Sequence, residues 1–262
     1  MLVKSIGFFL CFFCDYVKSD RIRNYITFEL IFNLNFMKKY LLYTFILCFS
    51  LGYAQNKINE NLKSELESIL KTDQILREYI NFDTSDDRKK EIVKELGREN
   101  DLNFRKGIWL EMQKQDSLNL IKVEEIIKQY GYPGKSLVGE PTNIAAWYVI
   151  QHSQKIAEYL PMIEKEAKKK EIPFTYFAKM QDRYLTQQGK EQIYGTQGQG
   201  KQITNKKTGK KEFFSYVSPI ENPAKVNERR KKAGFTTTVE ENAKEMGMEY
   251  KVYTLDEIKK MN

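Results

Sequence analysis

Two long segments carry apolar residues at helical spacing, and this pattern limits the fold more than any other feature of the sequence. The first segment spans residues 58–80 and repeats an aliphatic side chain every three or four positions, except at Asp73. The second segment is followed by Gly131 and Pro133, a pair typical of a helix C-terminus. Each apolar stripe has to be covered by another element, so the sequence predicts packed helices. The second segment spans 104–130 and carries on one face Ile108, Met112, Val123, Ile126 and Tyr130.

Shorter patterns complete a mainly α prediction. Asn143 is the expected N-cap of one helix. Two segments, 192–197 and 211–217, alternate like short strands joined by glycine- and lysine-rich turns. The expected fold is a single helical domain with a small β-hairpin near residues 192–217. The additional helices are expected over residues 88–96, 143–152, 161–170, 174–188 and 223–232.

The segment before residue 55 has the pattern of a secretory leader. Two lysines after Met37 precede an apolar run over 41–51, and the small residue Ala54 follows. The apolar run is shorter than the roughly 20 residues that a permanent membrane helix needs. We therefore predict a signal peptide over 37–54 that is removed after Ala54. The product would be an exported protein of the periplasm or extracellular space, with no stable membrane anchor after processing.

Residues 1–36 precede this leader and need a separate interpretation. A signal peptide begins near its own start codon, so translation is expected to start at Met37. Residues 1–36 are then a mis-assigned N-terminal extension. The alternative is a genuine membrane-active extension built on the short apolar patch 6–14. In either case the predicted domain is 55–262.

The cysteines and the net charge exclude several classes of function. Cys11, Cys14 and Cys48 all precede the expected cleavage site, so the processed chain offers neither a thiolate nor a disulfide. The whole sequence has a formal net charge of +8, of which +5 remains after residue 54. This small excess is spread among acidic residues, and the basic clusters lack interleaved aromatic residues. No nucleic-acid partner is expected.

One motif has the spacing of a phosphate-binding loop, with Gly195 followed by Gly200 and Lys201. However, Gln202 stands where the motif needs a hydroxyl residue that reaches magnesium. The residues after it show no helical face, although the motif requires a helix N-terminus to hold the phosphates. The pattern is therefore interpreted as a hairpin turn, and no cofactor is expected.

Polar side chains interrupt the apolar faces of several predicted helices. Because a charge buried without a partner costs several kcal/mol, these groups are expected to meet in one network. In one interpretation His152, the only histidine, is a mostly buried general base oriented by Asp182 or, as second choice, by Asp73. Arg77 or Arg183 would then bind an anion. In the other interpretation the network is a satisfied polar core that only fixes helix register.

Short motifs containing these residues follow one another along the chain. They are Asp73-Gln74-x-x-Arg77, Asp116-x-x-Asn119, Gly131-Tyr132-Pro133, Gln151-His152, Asp182-Arg183, Tyr194-Gly195-Thr196-Gln197, Pro219-Ile220, Asn222-Pro223 and Arg229-Arg230. The ordered set resembles an uncharacterised bacterial domain family that occurs in exported proteins of Bacteroidetes and in actinobacteria. The resemblance covers about residues 66–235, and the stretch 198–218 is expected to be shorter in relatives. It supplies candidate positions but no chemistry.

The residue patterns and the resemblance together define a candidate site. No metal ligand is assigned, because one histidine and no cysteine leave only carboxylates, and no paired spacing on a helix indicates a metal. The catalytic candidates are His152, Asp182 and Asp73. The candidate ligand-binding residues are Arg77, Arg183, Gln74, Asn119, Gln151, Tyr194 and Gln197.

The predicted function follows from this pocket. We expect an exported helical domain that hydrolyses or binds a small or envelope-derived ligand. The alternative is a structural or protein-interaction module whose buried polar network only fixes helix packing.

Overall fold

The structure is a mainly helical domain, as the sequence predicts. The computed structural model describes residues 57–205 and 208–261, so both predicted leader segments lie outside the described residues. Within the described part, seven α-helices precede a two-stranded sheet and three follow it, and none of them has the length and hydropathy needed to span a bilayer. In chain order the elements are α1 (Glu60–Ile80), α2 (Asp86–Glu95), α3 (Phe104–Tyr130), α4 (Lys135–Val138), a 3-10 turn (Thr142–Ile144), α5 (Ala145–Gln151), α6 (Ile156–Lys168), α7 (Phe174–Gln187), β1 (Gly198–Thr204), β2 (Lys211–Val217), a 3-10 turn (Pro223–Lys225), α8 (Val226–Ala233), α9 (Val239–Glu245) and α10 (Leu255–Lys260).

The two longest helices, α1 and α3, pack against each other and against α5. Asn59 is the N-cap of α1, and its side chain accepts a hydrogen bond from the Leu62 amide at 3.1 Å. This bond satisfies one of the amides that a helix N-terminus leaves unpaired. α3 ends at Gly131, whose φ of +74° lies in the region that favours glycine, as the sequence predicts.

The main apolar core lies where α1, α3, α5, α6 and α7 meet. Leu66, Val123, Ile150 and Ile163 in this core are all fully shielded from solvent. Each such side chain contributes about 1.5–3 kcal/mol through burial, so the core stabilises the helical packing without any disulfide. Two smaller apolar clusters flank it. One joins α2 to the ends of α1 and α3, and the other joins β2, α8 and α9.

The hairpin is present, but the prediction of its first strand was wrong. Residues 192–197 form a loop, and β1 begins after it at Gly198. Gly200 and Lys201 pair with Ser215 and Phe214 of β2, so they lie in a strand and not in the predicted turn. Polar side chains of this loop instead form hydrogen bonds to α7 and to Ser218, the residue after β2.

Three other local predictions need correction. Asn143 is not an N-cap, because α5 begins after Ile144. The side-chain Nδ2 of Asn143 instead donates to the backbone carbonyl of Glu171 at 2.8 Å. The predicted helix 161–170 begins earlier, at Ile156, and includes Pro161 within it. The helix predicted from Pro223 starts as a 3-10 turn before α8.

Candidate functional site

A histidine–carboxylate pair joins α1 to the end of α5. Asp73 takes an apolar-stripe position in α1, and its side chain is fully buried. His152 follows the last residue of α5, and its Nδ1 lies 3.3 Å from Asp73 Oδ2. The predicted first-choice partner, Asp182, does not make this contact. The second choice, Asp73, does.

The geometry of this pair defines which nitrogen of His152 can act on a ligand. A carboxylate beside Nδ1 favours the tautomer that carries its proton there, which leaves Nε2 as an acceptor. Nε2 makes no hydrogen bond to any residue that the structure describes, and the His152 side chain is 17% exposed. The imidazole is therefore mostly buried, as predicted, and its outer nitrogen is free to accept a proton.

Arg77 connects the pair to α3. Its Nη2 donates to both carboxylate oxygens of Asp116, at 2.9 and 2.8 Å. Its Nη1 donates to the backbone carbonyl of Asp73 and lies 3.6 Å from the carboxylate of the same residue. Because one guanidinium holds two carboxylates from two helices, it fixes the positions of both. Asp116 was recognised in the sequence as a polar interruption but was not included among the candidate site residues.

Arg183 on α7 is a second cation, and its charge and that of Arg77 repel each other. It makes no side-chain hydrogen bond or ion pair with the described residues. Burial lowers the pKa of Arg183, and repulsion from Arg77 lowers it further. A half-buried guanidinium without a carboxylate partner is energetically unfavourable until an anion reaches it. We call Asp73, Arg77, Asp116, His152 and Arg183 the histidine cluster.

Three predicted ligand-binding amides surround the histidine cluster. Gln74 donates to Asp73 at 2.5 Å. Gln151 is only 9% exposed, yet its side chain makes no hydrogen bond with a described residue. Asn119 accepts hydrogen bonds from Thr72 and Gln115, while its buried Nδ2 has no partner in the described part. A buried amide nitrogen without a partner is unusual, and Asn119 Nδ2 is one of these rare groups.

Asp182 belongs to a separate arrangement, the Asp182 loop, which we define as residues 192–197 together with Asp182. The buried carboxylate accepts hydrogen bonds from the amides of Ile193, Tyr194 and Thr196 at 2.7–3.1 Å, and from the Thr196 hydroxyl at 2.9 Å. Burial raises the pKa of Asp182, and these hydrogen bonds oppose the increase. Because its accepting capacity is used by the loop, Asp182 holds the backbone in place.

The remaining loop residues are also occupied within the protein. Tyr194 contributes its amide to Asp182 and its carbonyl to Arg230, which lies 3.0 Å away. The Gln197 amide donates to the Gln192 side chain at 2.9 Å. Gln192 was not recognised from the sequence, because a buried glutamine outside a helix has no periodic pattern. Among the described residues, no hydrogen bond or ion pair joins this loop to the histidine cluster.

Three side chains of the histidine cluster also have the chemistry of metal ligands. Asp73, Asp116 and His152 each offer a ligand atom, and these atoms lie within 4.8 Å of one another. The sequence showed no metal spacing because the three come from three different elements. The guanidinium of Arg77 already contacts both carboxylates, so a cation would have to displace it.

The fold and the cluster define a class of protein, a small helical domain with a partly open histidine–aspartate pair beside arginines. The chain belongs to the family of unknown function DUF6624, whose model matches residues 60–253. This match confirms the predicted resemblance to a domain of unknown function. No curated protein and no solved structure matches the chain.

Proposed function

We propose that the histidine cluster is a site for a small anionic ligand, on which His152 acts as a general base. The observation that carries this proposal is the combination of one oriented imidazole with one unpaired guanidinium. Asp73 orients His152, while Arg183 has no partner in the described residues. A purely structural network is expected to pair such a group, because a partly buried charge without a partner is unfavourable.

The chemistry follows from the assigned tautomer. Nε2 of His152 takes a proton from a water or a hydroxyl group of the ligand, and the resulting imidazolium is stabilised by Asp73. In hydrolysis, the same proton is then returned to the leaving group. Arg183 binds the anionic group of the ligand, and Arg77 keeps Asp73 and Asp116 in place. General-base catalysis of this kind contributes about 10²–10⁴-fold to a rate.

The ligand is expected to come from outside the cytoplasm, because we also propose that the chain is exported. The support is the basic, apolar and small-residue pattern over 37–54. Protein isolated from its native host should have the intact mass of a chain that begins at Gln55, or of its cyclised form. Residues 1–36 in the isolated protein would contradict this proposal.

Because the sequence holds one histidine, NMR offers a direct test. In untagged protein the C2 proton of His152 gives a single imidazole signal. We expect titration with phenyl phosphate, inorganic phosphate and acetate to shift this signal, with phenyl phosphate binding most tightly. Arg183→Gln should weaken the response by about tenfold or more, which corresponds to about 1.4 kcal/mol.

Arg105→Gln is the matched control, since Arg105 is an exposed arginine outside the histidine cluster. It should leave the imidazole response unchanged. His152→Gln should keep the fold and abolish turnover of any substrate found later. If none of the three anions changes the chemical shift of the His152 signal in the native protein, the proposal is contradicted.

One observation favours the alternative, a structural module. The bridge from Arg77 to Asp116 links α1 and α3 as a register-fixing contact would. In that case His152→Gln should lower the melting temperature, and no anion should bind at Arg183. The NMR titration and the thermal unfolding of this variant therefore separate the two functions.

A further inference from the structure

A cavity lies between α1, α2 and α3, and none of the histidine cluster residues lines it. It has a volume of about 300 Å³ and is lined by aromatic, aliphatic and charged side chains. This volume is at the lower end of the range of small-molecule sites. The lining residues are Tyr79, Ile80, Phe82, Asp86, Lys89, Arg105, Ile108 and Trp109.

The lining of this cavity includes three aromatic rings, those of Tyr79, Phe82 and Trp109. Ile108 is buried at 2% exposure and closes the inner side. Trp109 and Phe82 stand at the outer side, with 61% and 99% of their surfaces exposed. Aromatic side chains exposed beside a concave surface are a typical platform for a flat apolar ring. The aromatic side chains suit the ring of a ligand, and the charged side chains suit its polar group.

The charges on the walls favour an anion. Lys89 and Arg105 make no side-chain hydrogen bond or ion pair within residues 57–205 and 208–261. The acidic residue of the lining, Asp86, lies in the first turn of α2, where the helix dipole already compensates a negative charge. The lining therefore carries two cations and one carboxylate, and the positive charge is in excess.

We propose that this cavity binds a small organic acid that carries a flat aromatic ring. The ring lies against Trp109 and Phe82, and the acid group contacts Arg105 and Lys89. A membrane surface fits the cavity less well, since Asp83, Asp87 and Asp101 are exposed nearby in the chain and an anionic bilayer would repel them. A small ligand also uses the concave shape, which a flat bilayer does not.

Calorimetric titration with three probes tests the proposal. The probes are 2-naphthylacetate, which has both the ring and the acid, 2-naphthylethylamine, which has the ring and a positive charge, and acetate, which has no ring. On the full chain, 2-naphthylacetate should bind at least about tenfold more tightly than either of the others. The ring and the negative charge are then both required.

Variants assign the binding to the cavity. Trp109→Ala and the double variant Lys89→Gln/Arg105→Gln should each weaken 2-naphthylacetate by about tenfold or more. Both change side chains at the surface, so the fold should persist, and circular dichroism checks this. The same losses should appear in an Arg183→Gln background, in which binding of anions at the histidine cluster is already weakened.

Three results would overturn the inference. The first is equal affinity for the amine and the acid. The second is unchanged affinity in both cavity variants. The third is the absence of 2-naphthylacetate binding. If Trp109→Ala then also releases the chain from phosphatidylglycerol vesicles, this surface is a membrane contact.

Discussion

Asp73 and Asp182 are both fully buried aspartates on helices, but they have opposite kinds of partners. Asp182 accepts hydrogen bonds from three backbone amides and one threonine hydroxyl, all within one loop. Asp73 contacts the side chains of His152, Gln74 and Arg77. The backbone amides that bind Asp182 are fixed in the loop, whereas the side chains that contact Asp73 can rotate and bind other groups.

This difference teaches how a buried carboxylate can be classified from its partners. A carboxylate saturated by main-chain donors supports local structure and has no lone pair left for a ligand. A carboxylate that orients an imidazole, with an unpaired cation nearby, resembles the arrangements used for acid–base chemistry. Burial alone does not separate the two aspartates, since neither has any exposed surface.

The largest expected effect is that of Asp182→Ala. This change leaves three amides and a hydroxyl without their buried acceptor, so it should lower the free energy of unfolding by roughly 3–5 kcal/mol. Urea unfolding measures the effect. A loss below about 1 kcal/mol would show that water replaces the carboxylate easily, and the comparison with Asp73 would fail.

The next effect concerns Gly195 within the Asp182 loop. Its φ is +69°, and an added Cβ would lie 2.6 Å from Val239 Cγ2 and 2.8 Å from Ile220 Cδ1. Gly195→Ala should therefore cost about 3 kcal/mol through strain and overpacking. Gly189→Ala is the matched control, because Gly189 has a φ of +67° with no atom within 4 Å of the added Cβ. It should cost about 1 kcal/mol, and equal losses would mean that packing around the loop contributes nothing.

Asp73→Ala should have a smaller effect on stability. Its partners His152 and Arg77 keep access to water, and Arg77 retains Asp116, so the loss should be about 1–2 kcal/mol. The same variant should abolish the anion-dependent shift of the His152 signal. A stability loss as large as that of Asp182→Ala would place both aspartates in the structural class.

The smallest expected effect is a pH dependence from Asp182. Burial raises its pKa in the folded state above the value in the unfolded chain, so the folded state binds more protons between the two values. Stability should therefore decrease as pH rises from about 4 to the folded-state pKa. Asp182→Asn should remove this slope in urea unfolding series at different pH. An unchanged slope would assign the pH dependence to other groups.

The sequence predicted the helical scaffold well because apolar spacing reports directly on buried faces. The bounds of α3 and the ending at Gly131 follow from local rules. The pairing of His152 with Asp73 could not be separated from a pairing with Asp182, because spacing gives phase but not the distance between helices. The loop 192–197 was mistaken for a strand because its backbone amides bind the Asp182 carboxylate and not a neighbouring strand, which alternation does not reveal.

The glycine spacing from Gly195 to Lys201 leads to a consequence for anion uptake. Consecutive main-chain amides that converge on one point form a nest, the feature with which phosphate loops hold their ligand. In this chain the amides around Gly195 converge on an internal anion, the Asp182 carboxylate. The Asp182 carboxylate therefore already occupies the nest. An external phosphate would have to displace this side chain, which belongs to the same chain. Phosphate taken up by the protein should accordingly be held by side chains such as Arg183.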